Sequence, residues 1–463
     1  MGPQAATKDI AVPGLSDAVH IESVSLPTGQ HLYFVLDPSV PSWGIVNSDG
    51  VELLQLCDGE RTSADIAKEI SRRKNIEYPD ALQLADTFLE QMQQQRILYA
   101  DNPQEKKENT FHGVALEITR QCNLRCRHCY LAAGKEAEGE LSGGEIKKFI
   151  TSVKEEGGIS IAIGGGEPLL RADCLELVDH ALSCGLLVSL GTNATLIDGD
   201  VALRLAALPI KIQISLDGAT EAVHDGIRGS GSYRRAANGI DELVRAGKAD
   251  DMVIAFTAMK KNVHEVTAIV QFAYDRGIPV VQFPPLTPAG RARNNWDDLR
   301  LSSDELVEFW QTISQCALEV QGEMDLLADC FSMNIHQAGK PYQCSIGSQY
   351  RIDPAGNVYP CQCFHYGKEY LLGNIRRHSL KSMVEGGRIK EIQNLSRKRS
   401  SMIDACSDCK WMNYCGSGCM GNAFETTGSV LQPTACRARK QWIESLCAGE
   451  VAKAVKGSQV GRA

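Results

Sequence analysis

The middle of the chain predicts an α/β fold built on parallel strands. Six short apolar runs recur from residue 113 to residue 286: GVALEIT, ISIAIGG, LLVSLGT, KIQISLD, MVIAFTA and VVQFPPL. Helical stretches near 143–156, 172–184, 197–207, 234–247 and 263–276 separate them. Such alternation joins parallel strands through right-handed crossovers. Six units of this kind make either a doubly wound sheet or a partial barrel, and both bind ligands at the carboxyl ends of the strands. The flanks behave differently. After a helix near 303–320 the alternation stops and cysteines take over, so several domains are expected in 463 residues.

Residues 18–100 read as a small α+β unit. HIESVSL, HLYFVLD and WGIVN have strand character. Thr62 then opens a helix, with Asp65 three residues on to complete a capping box, and Ile66 and Ile70 form its apolar stripe. Leu82, Ala85, Phe88, Leu89 and Met92 recur at helical spacing in a second helix. The polar run DNPQEKKENT at 101–110 is expected to be a linker.

Composition narrows the function classes. Hydrophobic residues make up 43% and charged residues 23%, with a net charge of −9 and no long basic run. Nucleic acid is therefore not an expected partner. No apolar run has the length of a membrane span, and the first residues, MGPQAATKDIAVPGL, lack an apolar signal core. They fit a myristoylation pattern only loosely. A cytoplasmic location without membrane contact is expected. The 17 cysteines are clustered, three within 122–129 and eight within 344–436. Clustered cysteines without a secretion signal point to metal rather than disulfides.

The first cluster is Cys122-Asn-Leu-Arg-Cys126-Arg-His-Cys129, directly after the first strand of the alternating domain. Three thiolates on one loop can hold three irons of a 4Fe-4S cluster and leave the fourth iron open. A structural zinc site needs four ligands, and His128 would strain the loop as the fourth. This CxxxCxxC loop after a strand resembles the radical S-adenosylmethionine superfamily, over roughly 113–290. The resemblance implies a partial (β/α)6 TIM-like barrel. It also implies that the open iron chelates the methionine part of S-adenosylmethionine, whose reductive cleavage yields a 5′-deoxyadenosyl radical. A reductant such as flavodoxin or ferredoxin is implied with it.

Further motifs fall where that family places them. Gly164-Gly165-Gly166-Glu167-Pro168 ends the second strand. Glycines let backbone approach a ligand closely, and a carboxylate accepts from an ammonium. The resemblance therefore assigns Gly165, Gly166 and Glu167 to the methionine amine. It puts Thr192, Asn193, Ser215 and Asp217 against the cofactor's ribose and carboxylate, and Arg228, in HDGIRGS, beside the methionine carboxylate. The backbone at His128 is expected near adenine. Ordinary loop capping is the plain alternative for Thr192, Asn193, Ser215 and Asp217.

The second cluster runs Cys344, eleven residues, Gly356, four residues, Cys361, then Cys406-Ser-Asp-Cys409, Cys415, Cys419 and Cys436. It resembles the SPASM extension, the auxiliary-cluster domain of many radical enzymes that act on peptides. A zinc ribbon would explain Cys406, Cys409, Cys415 and Cys419 but not Cys344 and Cys361. By the resemblance, Cys406, Cys409, Cys415 and Cys436 hold an outer 4Fe-4S cluster, and Cys344, Cys361 and Cys419 hold an inner one. That makes three 4Fe-4S clusters in all. The family's fourth inner cysteine, just before Cys344, is missing. Cys330, Cys363 or a substrate thiolate is left to complete the site. Cys57, Cys174, Cys184, Cys316 and Cys447 are expected to serve packing.

Residues 18–100, with VELLQLCDG at 51–59 followed by Arg61 and Thr62, resemble the small peptide chaperone of pyrroloquinoline quinone biosynthesis. That winged-helix-like fold is a recognition element of ribosomal-peptide maturases. An exposed sheet edge beside a helix accepts a leader peptide as an added strand. A generic winged helix is the alternative, and for DNA it would be basic.

Three regions are expected: 1–105 for leader recognition and linker, 106–325 for the radical core, and 326–463 for the auxiliary clusters. The expected function is maturation of a ribosomally made precursor peptide, with a thioether crosslink from a Cys sulfur to carbon. Carbon–carbon crosslinking or another oxidative modification is the alternative. A formylglycine-type sulfatase maturase fits less well, since that family carries Asp where this chain has Gln362. A non-catalytic electron-transfer or zinc scaffold leaves the GGEP and ISLDG motifs unexplained.

Overall fold

The computed structural model describes residues 13–15, 19–25, 31–37, 42–95, 97–99, 110–329, 333, 344–365 and 367–460. Most of the expected linker, and Cys330, lie outside the described residues. The N-terminal unit pairs β1 (Gly14–Leu15) with β5 (Leu98–Tyr99), so its first and last strands meet. Between them, β2 (His20–Ser25), β3 (His31–Asp37) and β4 (Ser42–Val46) form an antiparallel sheet in that order. Three helices follow at Ser48–Leu56, Ser63–Lys74 and Tyr78–Gln94. The second starts at the expected capping box, where Thr62 Oγ1 accepts from Asp65 N at 3.2 Å.

Alternation along β3 gives the small sheet two jobs. Val35 turns to the unit's own core with Ile66, Ile70, Ala85, Leu89 and Met92. Phe34 and Leu36 turn the other way, into the core shared with the rest of the molecule, and Trp43 and Ile45 of β4 pack beside them. Phe34 and Trp43 stack at 5.4 Å between centroids. The N-terminal unit is therefore built into the body of the protein.

The six expected parallel strands are all present: β6 (Gly113–Glu117), β7 (Ser160–Gly164), β8 (Leu187–Thr192), β9 (Lys211–Ser215), β10 (Met252–Ala255) and β11 (Val280–Phe283). They lie side by side in chain order and carry the crossover helices Gly143–Glu155, Cys174–Ser183, Gly199–Ala206, Ser232–Arg245 and Val266–Tyr274. Two more parallel strands extend the curve. After helix Ser303–Glu319, β12 (Asp325–Ala328) joins β11 and runs across the boundary expected at 325/326. On the other side β13 (Gln349–Ile352) pairs with β6. It leads into the antiparallel β14 (Asn357–Tyr359) and β15 (Gly373–Asn374). The ends of the ten-stranded sheet, β12 and β15, do not pair, so the barrel is partial.

Burial explains the closure. Val114, Leu116, Ile161, Ile163, Leu190, Ile212, Ile214 and Ile254 are all at most 1% exposed and share one core. Each buried aliphatic side chain of this size contributes about 2 kcal/mol. A buried ion pair ties the C-terminal region to the first barrel strand. Arg351 of β13 donates to both carboxylate oxygens of Glu117, at 2.8 and 2.7 Å.

Candidate functional site

The carboxyl ends of β6 to β10 converge on one rim. After β6 the chain enters the three-cysteine loop, closed by Cys122 N to Gly134 O (2.9 Å) and Gly134 N to Arg120 O (2.8 Å). The N–H groups of Leu124 and Ala133 point at the sulfurs of Cys122 and Cys129, each at 3.4 Å. Burial pushes the Cys126 thiol up to about 11, against the pull of Arg228.

A clamp that no periodicity marks holds this loop from outside. Arg291 donates to the carbonyls of Cys126 (2.8 Å) and Ala133 (2.7 Å), and its own N–H donates to Cys129 O (2.9 Å). Gly290 has φ +55°, and a Cβ there would sit 2.3 Å from Tyr130 O.

The GGEP turn presses on the same loop. Gly166 N donates to Thr119 O and Glu167 N to Gln121 O, both at 2.8 Å. Gly165 has φ +131°, and a Cβ on Gly166 would lie 2.1 Å from Gln121 O. Glu167 is fully buried and accepts from Thr192 Oγ1 and Asn193 N, each at 2.8 Å, and from Leu169 N at 3.3 Å. Burial pushes its carboxyl up, and these donors oppose the shift. Asn193 reaches on to Asn123 Oδ1 at 2.9 Å, with Cys122 Sγ 4.0 Å from the same nitrogen.

Across the rim, Asp217 gathers the remaining predicted residues. Its Oδ2 accepts from Arg228 Nε at 2.6 Å, with His128 Nε2 3.2 Å away, and its Oδ1 accepts from Thr257 N at 2.9 Å. Burial alone would raise the Asp217 carboxyl, but Arg228 and His128 outweigh it and hold the pKa below the usual range. Arg228 Nη1 lies 4.0 Å from Cys126 Sγ. Ser215 ends β9 beside this group and is half-buried. Arg228 sits on the helix Glu221–Arg228, whose eight residues carry little periodicity.

The second cysteine set falls into two neighbourhoods. Cys436 lies within electrostatic reach of Cys406, Cys409 and Cys415, and Cys415 within reach of Cys406. Cys344, Cys361, Cys363 and Cys419 form the other group, with Cys363 within electrostatic reach of Cys361 and Cys344 and close to Cys419, and Cys344 within electrostatic reach of Cys419. Asn422 N points at Cys419 Sγ and Ser417 Oγ at Cys406 Sγ, each at 3.4 Å. Arg399, unremarked in the sequence, lies between the groups. It is 3% exposed, donates to the carbonyls of Val430, Gly418 and Gln432, and interacts with Cys419, Cys344, Cys406 and Cys415. The cysteines expected to serve packing do so at Cys57, Cys174, Cys316 and Cys447, which are buried; Cys184 is half-buried beside His180.

Backbone strain collects at these loops. Ala132, Ala194, Ser417 and Ala435 all have φ between 50° and 63°. They follow the first cysteine loop, follow Asn193, and flank the last cysteines. Left-handed conformation costs a non-glycine residue about 1–2 kcal/mol, and such strain gathers at functional sites.

The donor chemistry fits the groups that the motifs imply. Four-cysteine neighbourhoods with N–H and O–H groups aimed at sulfur suit iron–sulfur clusters. Among the described residues no three Cys, His, Asp or Glu side chains crowd closely enough to chelate one ion. A cubane asks only that each sulfur reach a different iron. At the three-cysteine loop and behind it, His128 Nδ1 and His224 Nε2 are buried without a hydrogen-bond partner.

Comparison with known proteins agrees with this geometry. The Radical SAM superfamily matches residues 116–273, and an iron-sulfur cluster-binding domain, SPASM, matches 333–410. Coenzyme PQQ synthesis protein D matches 33–98. The chain belongs to the Radical SAM superfamily. It is an enzyme whose cofactors are S-adenosylmethionine, a 4Fe-4S cluster and auxiliary clusters.

Among its relatives is the mycofactocin maturase MftC of Mycobacterium tuberculosis, 33% identical over 67% of this chain and 78% of that one. An AdoMet-dependent heme synthase of Methanosarcina barkeri is 29% identical over 69% of this chain and 94% of its own. Streptococcus suis SuiB bound to its precursor peptide SuiA shares the fold with a TM-score of 0.56, at 13% identity, covering 92% of this chain and 99% of that one. Among the described residues no helix is long and apolar enough to cross a membrane.

Proposed function

We propose that this enzyme modifies a ribosomally made precursor peptide by joining a cysteine sulfur to a carbon. The observation that carries the reading is one chain holding three parts: the PQQ-synthesis-protein-D unit, the radical core and the cluster-binding domain. The first part is fixed to the others through Phe34 and Leu36. A mycofactocin maturase relative and a peptide-bound structure of the same fold support it.

The residues take these roles. Cys122, Cys126 and Cys129 ligate three irons of the radical cluster. Gly165, Gly166 and Glu167 receive the methionine amine, and Glu167 also fixes Thr192 and Asn193. Asp217 holds Arg228 toward the cysteine loop, where its guanidinium faces the methionine carboxylate. Ser215 and the His128 backbone border the nucleoside. Cys406, Cys409, Cys415 and Cys436 hold the outer auxiliary cluster. Cys344, Cys361 and Cys419 serve the inner one. A small reductant protein, such as a flavodoxin or ferredoxin, supplies the first electron.

Bound cofactor and cluster together supply a hydrogen-abstracting 5′-deoxyadenosyl radical. The net change breaks one C–H and one S–H bond and forms one C–S bond. One hydrogen atom leaves to deoxyadenosine, the thiol proton to solvent and one electron to an auxiliary cluster.

The test is mass spectrometry on a precursor peptide encoded beside the enzyme. The product should be lighter by two hydrogens and should have lost one alkylatable thiol. Replacing Cys122, Cys126 and Cys129 together with Ala should abolish deoxyadenosine. A product that keeps every thiol would mean a carbon–carbon link. An unmodified peptide under conditions of vigorous cofactor cleavage would favour a small-molecule oxidation, the second reading raised by the heme synthase relative.

A further inference from the structure

We infer that Cys363 is the fourth cysteine ligand of the inner auxiliary cluster, which leaves that cluster no iron for a substrate thiolate. The spacing of the family pattern does not supply this ligand, since the usual position before Cys344 is empty of cysteine. The fold supplies it from downstream.

β14 ends at Tyr359, and the chain turns sharply through Cys361-Gln362-Cys363, with Phe364 N donating to Cys361 O at 3.4 Å. Gln362 turns outward and donates to Gln349 Oε1 at 2.7 Å. Phe364 is fully buried and stacks on Tyr370 at 4.4 Å, which pins the turn. Cys361 and Cys363 are thereby held on one turn, and Cys344 and Cys361 pack against the same apolar cluster as Phe364 and Met420, the neighbours of Cys363 and Cys419 in the chain.

The helix Met420–Thr427 is set down on the same spot. A Cβ on Gly421 would lie 2.6 Å from both Cys363 Cβ and Cys363 O, so glycine is what lets Cys419 and Cys363 approach. A packing role for Cys363 does not ask for this close approach to the turn that carries Cys419.

The assignment has a consequence for chemistry that rests on the proposed peptide reaction. The outer group already contains four cysteines. With Cys363 in place both auxiliary clusters are saturated, so their part is to take up the electron released on bond formation. The peptide thiol reacts without prior binding to iron.

The test reads iron directly and needs no peptide turnover. It uses the full-length protein carrying Cys122→Ala, Cys126→Ala and Cys129→Ala, so that only the auxiliary clusters are seen. Two intact cubanes hold about eight irons. Adding Cys363→Ala should drop the count to about seven after mild oxidation and raise the EPR signal of a three-iron cluster. Adding Cys330→Ala should change neither. A small thiol titrated into the Cys363-intact protein should leave the auxiliary EPR spectra unmoved, and should shift one of them in Cys363→Ala.

Cys363→Ser, closest in size, guards against misfolding; it should keep about eight irons and lower the potential of one cluster. A three-iron signal from Cys330→Ala, a thiol-induced shift with Cys363 intact, or an unchanged potential in Cys363→Ser would each overturn the assignment. A spectroscopic success with no peptide product would instead count against the proposed reaction.

Discussion

His224 stands behind Asp217, and its surroundings keep it neutral. Its Nδ1 accepts from Asp217 N at 3.3 Å, while Nε2 is buried without a partner. Burial lowers its pKa to about 4. Arg228 and His128 push the same way, and Asp217 and Asp225 push back. An unfolded histidine titrates near 6.5. Between these values the unfolded chain binds more protons, so stability is present above about pH 6.5 and is lost as pH falls toward 4. At pH 5.5 this one group should cost about 1 kcal/mol relative to pH 7.5. His224→Gln should therefore show a smaller drop in urea midpoint between those pH values. The slope should not vanish, because His128 is depressed to about 4 by burial as well. An unchanged slope in His224→Gln would show that the ring charges in place. At this scale the cysteines and the GGEP motif were legible, since chemistry restricts their residue types. Arg291, Arg399 and Gly290 were not. Each acts through carbonyls or a close approach that only the folded chain creates, and arginine on a surface-like stretch gives no pattern.

Elements were legible where they were long and periodic. The six strands of the radical core and their crossover helices fall within a few residues of expectation. β12 and β13 escaped notice because Asp325 in the one and Gln349 and Arg351 in the other interrupt any apolar run, and both pair at an open edge of the six-stranded core. The turns between elements matter more for chemistry than the elements themselves. The GGEP turn is the sharpest case, since its backbone lies on the strand exit that leads into the cysteine loop. Gly166→Ala would place a methyl 2.1 Å from the Gln121 carbonyl, too close to be absorbed by a side chain. The loop must shift, carrying Glu167 and its hold on Asn193 with it. Cofactor cleavage should fall at least tenfold, equivalent to about 1.4 kcal/mol or more in the barrier. Auxiliary iron should stay in place, because none of those ligands touches the turn. Assays of deoxyadenosine beside iron content check both halves. Wild-type cleavage by Gly166→Ala would mean that the turn has room the structure does not show.

At the scale of the whole molecule, the N-terminal unit is where sequence and structure diverge in meaning. Its domain type was legible from the strands, the VELLQLCDG segment and the capping box. Its attachment was not, because alternation along a strand reveals two apolar faces without saying what covers the second. In the fold, Phe34 and Leu36 enter the main core, and Glu22 pairs with Lys410 of the cluster-binding domain. Removing residues 1–105 would thus strip an apolar face from the body as well as any peptide contact, and lost stability would blur the result.

Competition separates the two effects. If a leader docks on this unit, its role is to raise the local concentration of the core peptide at the barrel, to roughly millimolar for a short flexible tether. That gain offsets part of the roughly 1–2 kcal/mol lost for each backbone residue ordered near the site. A free leader peptide added in excess should then raise the apparent KM for the intact precursor in proportion to its occupancy. It should leave maximal rate and peptide-independent cofactor cleavage unchanged. A core peptide made without its leader should be modified only at concentrations approaching millimolar, and free leader should not slow it. Inhibition that lowers maximal rate, or equal apparent affinity for precursor and core alone, would show that the N-terminal unit serves the fold and not the recognition of the peptide.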